Sequence, residues 1–156
     1  MMLIALLKAI HVLAVMLWVG GMAFAHFFLR PSLSLLEPEQ RVRLMHAVLG
    51  RFFVAVLWAN GLILASGLWI IGRVARQVAG TGGSLIWPLD WVLMVGVGLL
   101  MMAIFGHIRF VLYRRMDTAV KASNIPAGAA ALADIRRWVA VNMALGVALT
   151  AGVLIY

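Results

Sequence analysis

An apolar run from about Leu3 to Leu29 is long enough to cross a bilayer as a helix, and it constrains everything that follows. Lys8, His11 and His26 lie within or beside that run. Ionisable groups cost about 2.5–3.5 kcal/mol or more at the bilayer centre, so they are rare and turn toward the bundle interior. At about 100° per residue, Lys8, His11, Val15, Trp18, Met22, His26 and Leu29 share one stripe. The two histidines are about 22 Å apart along the axis and point within roughly 60° of each other. One helix thus offers an imidazole near each membrane surface, both aimed the same way.

The composition agrees. Of 156 residues, 65% are hydrophobic and 12% charged, whereas a soluble domain is nearer half apolar and a quarter charged. The net charge of +8 comes from basic residues clustered beside apolar runs, which reads as membrane topology and not as a nucleic-acid surface. With no cysteine there is no disulfide, thiolate ligand or redox dithiol. Ala23-Phe24-Ala25 has the form of a signal-peptidase site, but the run before it is too long and lacks a basic start, so it reads as a retained first span.

The expected fold is all-α: one domain over residues 1–156, an integral membrane four-helix bundle with spans at about 3–29, 44–71, 89–112 and 137–156. Arg30-Pro31 ends the first span. Glu37-Pro38-Glu39, with proline at the first helical position, starts the second helix on the surface. The stretch from Gly72 to Pro88 reads as a loop, and its Gly80-Thr81-Gly82-Gly83-Ser84 lacks the Lys-Ser/Thr of a phosphate loop. The third helix continues amphipathically toward Lys121, and Ser123-Asn124-Ile125-Pro126 is a break and restart. Helices two and four are expected to project beyond the bilayer. Ten basic residues flank the first and last connections and three lie on the other side. The positive-inside rule then places both longer basic connections in the cytoplasm and both termini outside.

Small and polar residues mark expected packing seams: Gly96, Ala103 and His107 on helix three; His46, Gly50, Leu57, Gly61 and Leu64 on helix two; Asn142, Gly146 and Thr150 on helix four. His26, His46 and His107 fall within roughly 5 to 10 Å of the cytoplasmic boundary by the helical rise. Two imidazoles at one depth, His26 and His107, can hold a b-type haem, with Arg30, Arg51, Arg109 or Arg114 on the propionates. The same two, with Met22, Met102 and His46, suit copper, since Cu(I) takes thioether and imidazole. Equally, each histidine can simply hydrogen-bond a neighbouring helix, and most of the ten methionines can be filler. His11, about 20 Å away, forms a second polar feature with Lys8; Asn60 and Asp90 are its nearest candidate partners, and an anionic group, a quinol or a second metal its candidate ligands. No carboxylate lies deep in a span, which argues against an acidic proton relay, and no Ser-His-Asp order, HExxH or Rossmann fingerprint occurs.

Lys8-x-x-His11, Trp18-x-Gly20-Gly21, Arg30-Pro31, Arg51-Phe52-Phe53, the run Met101 to His107, Arg114-Arg115 and Ile135-Arg136-Arg137 with Asn142 follow one another in a telling order. Together they resemble the copper-resistance D (CopD) family and its relatives, the HemJ-type protoporphyrinogen oxidases. The resemblance spans essentially the whole chain. It implies a four-helix membrane unit with a haem or metal function, His11 and His107 as the functional pair, and a haem-dependent oxidoreductase if the protein is an enzyme. HemJ-type proteins have Pro-Arg where this chain has Arg30-Pro31, a lysine where it has Asp90-Trp91, and Asn-Glu where it has Asn142-Met143. Larger CopD members have eight spans, and a homodimer would supply the rest. Three functions follow: a haem-b protein handling electrons or porphyrin with a quinol or electron-transfer partner, a copper transport or resistance protein, and an accessory subunit without a metal centre. Each is a multi-pass protein of a bacterial-type inner (plasma) membrane, partnered by the lipid bilayer and not by nucleic acid.

Overall fold

The computed structural model describes residues 2–83 and 86–155, and among them every regular element is helical. Four long helices follow one another: α1, Met2–Leu35; α2, Pro38–Gly80; α3, Leu89–Lys121; and α4, Ile125–Ile155. Three of them, α1 to α3, are long and apolar enough to cross a membrane by length and composition. At 43 residues, α2 is about 65 Å long, twice the hydrocarbon thickness, so it extends well past a bilayer.

The start and stop signals act as their chemistry requires. Pro38 occupies the first turn of α2, where its missing N–H costs nothing, and the Gln40 side chain accepts from the Glu37 N–H at 3.4 Å. Between α3 and α4, Ser123 adopts φ 54° and Asn124 Oδ1 caps the new helix by accepting from the Ala127 N–H at 3.1 Å. Two boundaries differ from the sequence reading. Gly72 to Ala79 is helix and not loop, because Arg73-Val-Ala-Arg-Gln-Val-Ala contains no breaker; α2 ends only at Gly80-Thr81-Gly82, where Gly82 takes φ 71°. Ser84 of the glycine-rich stretch and Tyr156 of the fourth span lie outside the described residues.

The second difference concerns Arg30-Pro31. A π turn at Ala25–Leu29 precedes the proline, and helical structure continues to Leu35. That wide turn re-aims the chain. In a regular helix Arg30 would stand about 80° off the line through Met22; one extra residue in the turn returns it to within about 20°. A second π turn, Ile108–Leu112, lies in α3 directly after His107.

Packing joins α1 to α2 and α3 to α4, and α4 also touches α1 and α2. The core is Trp18 and Met22 from α1, Phe53 and Val56 from α2, Met101, Phe105 and Ile108 from α3, and Ile135 from α4. Phe105 sits edge-on to Trp18 (centroids 6.0 Å) and to Phe53 (5.8 Å). On α1 the expected stripe faces inward from His11 to Leu29 while Lys8 is exposed, and on α4 Asn142 and Gly146 are buried while Thr150 is exposed.

The small-residue stripes of α2 and α3 behave otherwise over most of their length. Gly96, Ala103 and His107 are exposed, as are Leu57, Gly61 and Leu64, whereas His46 and Gly50 at the other end of the α2 stripe pack against Tyr113 of α3. The inward seam of α3 is instead Met101, Phe105, Ile108, Leu112 and Met116. In a helix apolar all round, residue size alone does not distinguish the protein-facing side from the lipid-facing side.

Candidate functional site

Each of the four histidines has a different environment. His11, half-buried on α1, meets α2: its Nδ1 is 2.9 Å from Ser66 Oγ. Ser66 is itself buried, and its hydroxyl donates to the Leu62 carbonyl one turn back. A serine has one proton to give, so its oxygen accepts from His11 and the proton sits on Nδ1. That tautomer leaves a lone pair on Nε2, and among the described residues no other side chain hydrogen-bonds the ring. A histidine whose far nitrogen is held by a neighbour in this way is the usual arrangement of a metal-ligating imidazole. The partner is Ser66, not Asn60 or Asp90. Asn60 is buried with Oδ1 unpaired, and Asp90 begins α3. Ser66 could have been found by matching depths: α1 and α2 run antiparallel, and both residues lie near the same end of the pair.

His46 is tied structurally. Its Nε2 meets Asp117 Oδ1 at 2.9 Å, Tyr113 stacks flat on its ring (5.3 Å, 5°), and Tyr113 donates its hydroxyl proton to the His46 carbonyl at 3.2 Å. Gly50 makes room, since a Cβ there would lie 2.5 Å from the Tyr113 hydroxyl. Arg109 lies over the Tyr113 ring at 5.2 Å, with its Nε buried and unpaired. Asp117 is held below the usual carboxylate range, chiefly by the hydrogen bond from Lys121 (2.7 Å) and further by His46. A depressed carboxyl contributes stability above its unfolded value, near pH 3.9, and that contribution is lost as pH falls through its lower folded value. Asp117→Ala should therefore lower the melting temperature at neutral pH, by the equivalent of about 1 kcal/mol or less for a pair this exposed. The gap to the parent should close below pH 4; melting curves across pH 3–7 check it.

His107 is exposed on α3, its ring edge-on to Trp138 of α4 at 5.4 Å. His26 is half-buried at the π turn of α1 and lines a crevice of about 340 Å³ with Arg30, Arg41, Leu132 and Arg136. Trp138 and Arg136 are two residues apart, about 200° around α4, so His107 and His26 stand on different flanks of that helix. Arg30 is in the His26 crevice. Arg51 is exposed, and Arg114 lies with Arg115 along an open groove at the start of α4. Met22 is buried one turn before His26, and Met102 is half-buried. Arg41, which the sequence reading used for topology, and Arg136, which it used for topology and for the family resemblance, complete the His26 crevice.

The model of the family described as Copper resistance protein D matches residues 46–155. The chain belongs to the CopD family. The match takes in α3 and α4 and most of α2, with His46, His107 and Asn142; His11 and His26 precede it. No curated protein and no solved structure matches. With three helices able to cross a bilayer, this CopD-family chain is a multi-pass integral membrane protein.

The family description raises copper, and the donor set can be tested against it. A bare copper ion takes all its ligands from the protein or solvent. Among the described residues no three of the His, Asp or Glu side chains come together as a metal-binding group. The His26–Met22 end of α1 offers an imidazole beside three guanidinium groups, which repel a cation.

Proposed function

We propose that this CopD-family protein binds a b-type haem, which His11 would hold through Nε2. The observation that carries the reading is the Ser66–His11 hydrogen bond, which fixes the proton on Nδ1 and leaves one oriented lone pair. A porphyrin brings four nitrogen ligands of its own, so a single well-held imidazole is enough, where copper would need several protein donors. The His26–His107 pair is less suited to one iron, because α4 stands between their directions. Lys8, exposed one turn from His11 on the same stripe, is placed to meet a propionate.

Bound haem supplies one-electron chemistry, consistent with a quinol or a redox protein as partner. The chain's own contribution is to hold the ring through Ser66 and present Nε2. Purified in mild detergent, the protein should show Soret and alpha bands in a reduced-minus-oxidised spectrum. A folded, colourless protein that takes up no haemin overturns the reading; stoichiometric Cu(I) binding lost in His26→Ala would favour copper instead. Ser66→Ala should keep the fold and weaken haem retention by about 10–100-fold, measured by transfer to apomyoglobin.

A further inference from the structure

We propose that the crevice where α1, α2 and α4 meet at the basic rim is a binding site for a phosphate group, carried on an anionic phospholipid headgroup or free in solution. This goes beyond the haem reading and does not depend on it.

Three guanidinium groups converge there from three helices: Arg30 on α1, Arg41 on α2 and Arg136 on α4, with His26 as a fourth nitrogen group. Among the described residues no carboxylate pairs with any of the three arginines; the acids that do form pairs, Glu39, Asp117 and Asp134, are bonded to Arg43, to His46 and Lys121, and to Arg137. Arg41 spends one nitrogen on the Leu36 carbonyl at 3.0 Å, yet its Nε is buried with no acceptor. Burial, and then the charges of Arg30 and Arg41, lower the proton affinity of Arg136 below the usual arginine range. Like charges gathered without a counterion repel one another, and an arrangement of this kind becomes favourable when an anion completes it.

Phosphate chemistry suits the site. A phosphate presents several oxygens to planar guanidinium forks arriving from different directions, and the crevice, about 340 Å³, is open at one side. The site lies where the first span gives way to the basic connection, the depth of lipid headgroups, and basic pockets between spans at that level are suited to anionic lipids. Phe27 and Phe28, exposed on the same turn of α1, provide an apolar surface for the acyl chains beside it. The π turn contributes directly by bringing Arg30 back to the Met22 line of α1.

The test uses the purified full chain in a zwitterionic detergent and in nanodiscs. Phosphatidylglycerol should raise the melting temperature over phosphatidylcholine alone, and Arg136→Gln should weaken that response about tenfold or more in lipid concentration, the loss of one charge-assisted contact. In phosphatidylcholine alone the same variant should melt no lower than the parent, because removing one of three repelling charges relieves strain; this separates loss of the site from loss of fold. Arg137→Gln, an outward arginine paired with Asp134, should keep the full response. Inorganic phosphate titrated into the detergent sample distinguishes the sources: stabilisation by millimolar phosphate that matches the lipid effect assigns a soluble ligand, and stabilisation by lipid alone assigns the headgroup. An Arg136→Gln protein that responds to phosphatidylglycerol and phosphate as the parent does would overturn the proposal. Haem content should be unchanged in Arg136→Gln, so the two readings fail separately.

Discussion

Replacing His11 by alanine should remove haem from the purified protein, while His26→Ala and His107→Ala retain it. The expected contrast follows from what holds each ring. Among the four, only His11 has one ring nitrogen held by a buried hydroxyl on another helix. His26 lines a crevice of positive charge, and His107 lies exposed against Trp138. Loss of the imidazole that would hold the haem should cost far more than the 10–100-fold expected when Ser66, its support, is removed. Folding is controlled within the same series, because a half-buried histidine joined to its neighbour by one neutral hydrogen bond contributes only about 0.5–1.5 kcal/mol. Haem-to-protein ratios after size exclusion read the result. Full retention by His11→Ala with loss in His26→Ala would move the site to the arginine crevice.

The second large effect is on stability. Gly146→Leu should severely destabilise the bundle. A Cβ at Gly146 would lie 2.8 Å from a Val19 methyl and 2.9 Å from the Met101 methyl, so α1, α3 and α4 converge on that position. Alanine already requires both neighbours to give way, and leucine adds three more carbons with nowhere to go. Overpacking of this kind costs about 1–3 kcal/mol and more when three helices must separate. Asn142, one turn away and 1% exposed, would be disturbed with it. Gly61→Leu and Gly96→Leu are the comparison, since a Cβ at either meets nothing within 4 Å. Melting temperatures in detergent should fall steeply for the first and scarcely for the other two; equal losses would mean that the α1–α4 contact is not as described.

This contrast shows what a sequence of this type discloses. Gly146 and Gly61 look alike as letters: both are small residues at helical spacing in apolar runs, and only the first packs against a neighbour. The helices themselves were legible because length, apolar runs, Pro38, Asn124 and the basic flanks are local signals. So was the inward stripe of α1, which carries Trp18 and two histidines. The faces of α2 and α3 were not, because lipid and protein interior are equally apolar and leave no periodic contrast. The site partners were hidden for another reason. Ser66 and Asp117 are 55 and 71 positions from the histidines they bind, and such pairings depend on helix register, which no local pattern encodes. Arg41 and Arg136 counted toward orientation while their convergence with Arg30 required both the π turn and the crossing of three helices.

The central claim, that His11 is bonded to iron, is tested most directly by changing the ligand atom. His11→Met should keep haem bound with an altered Soret band and raise the midpoint potential relative to the parent, because thioether in place of imidazole favours the reduced iron. A His11→Met protein whose spectrum and potential are those of the parent would contradict the account.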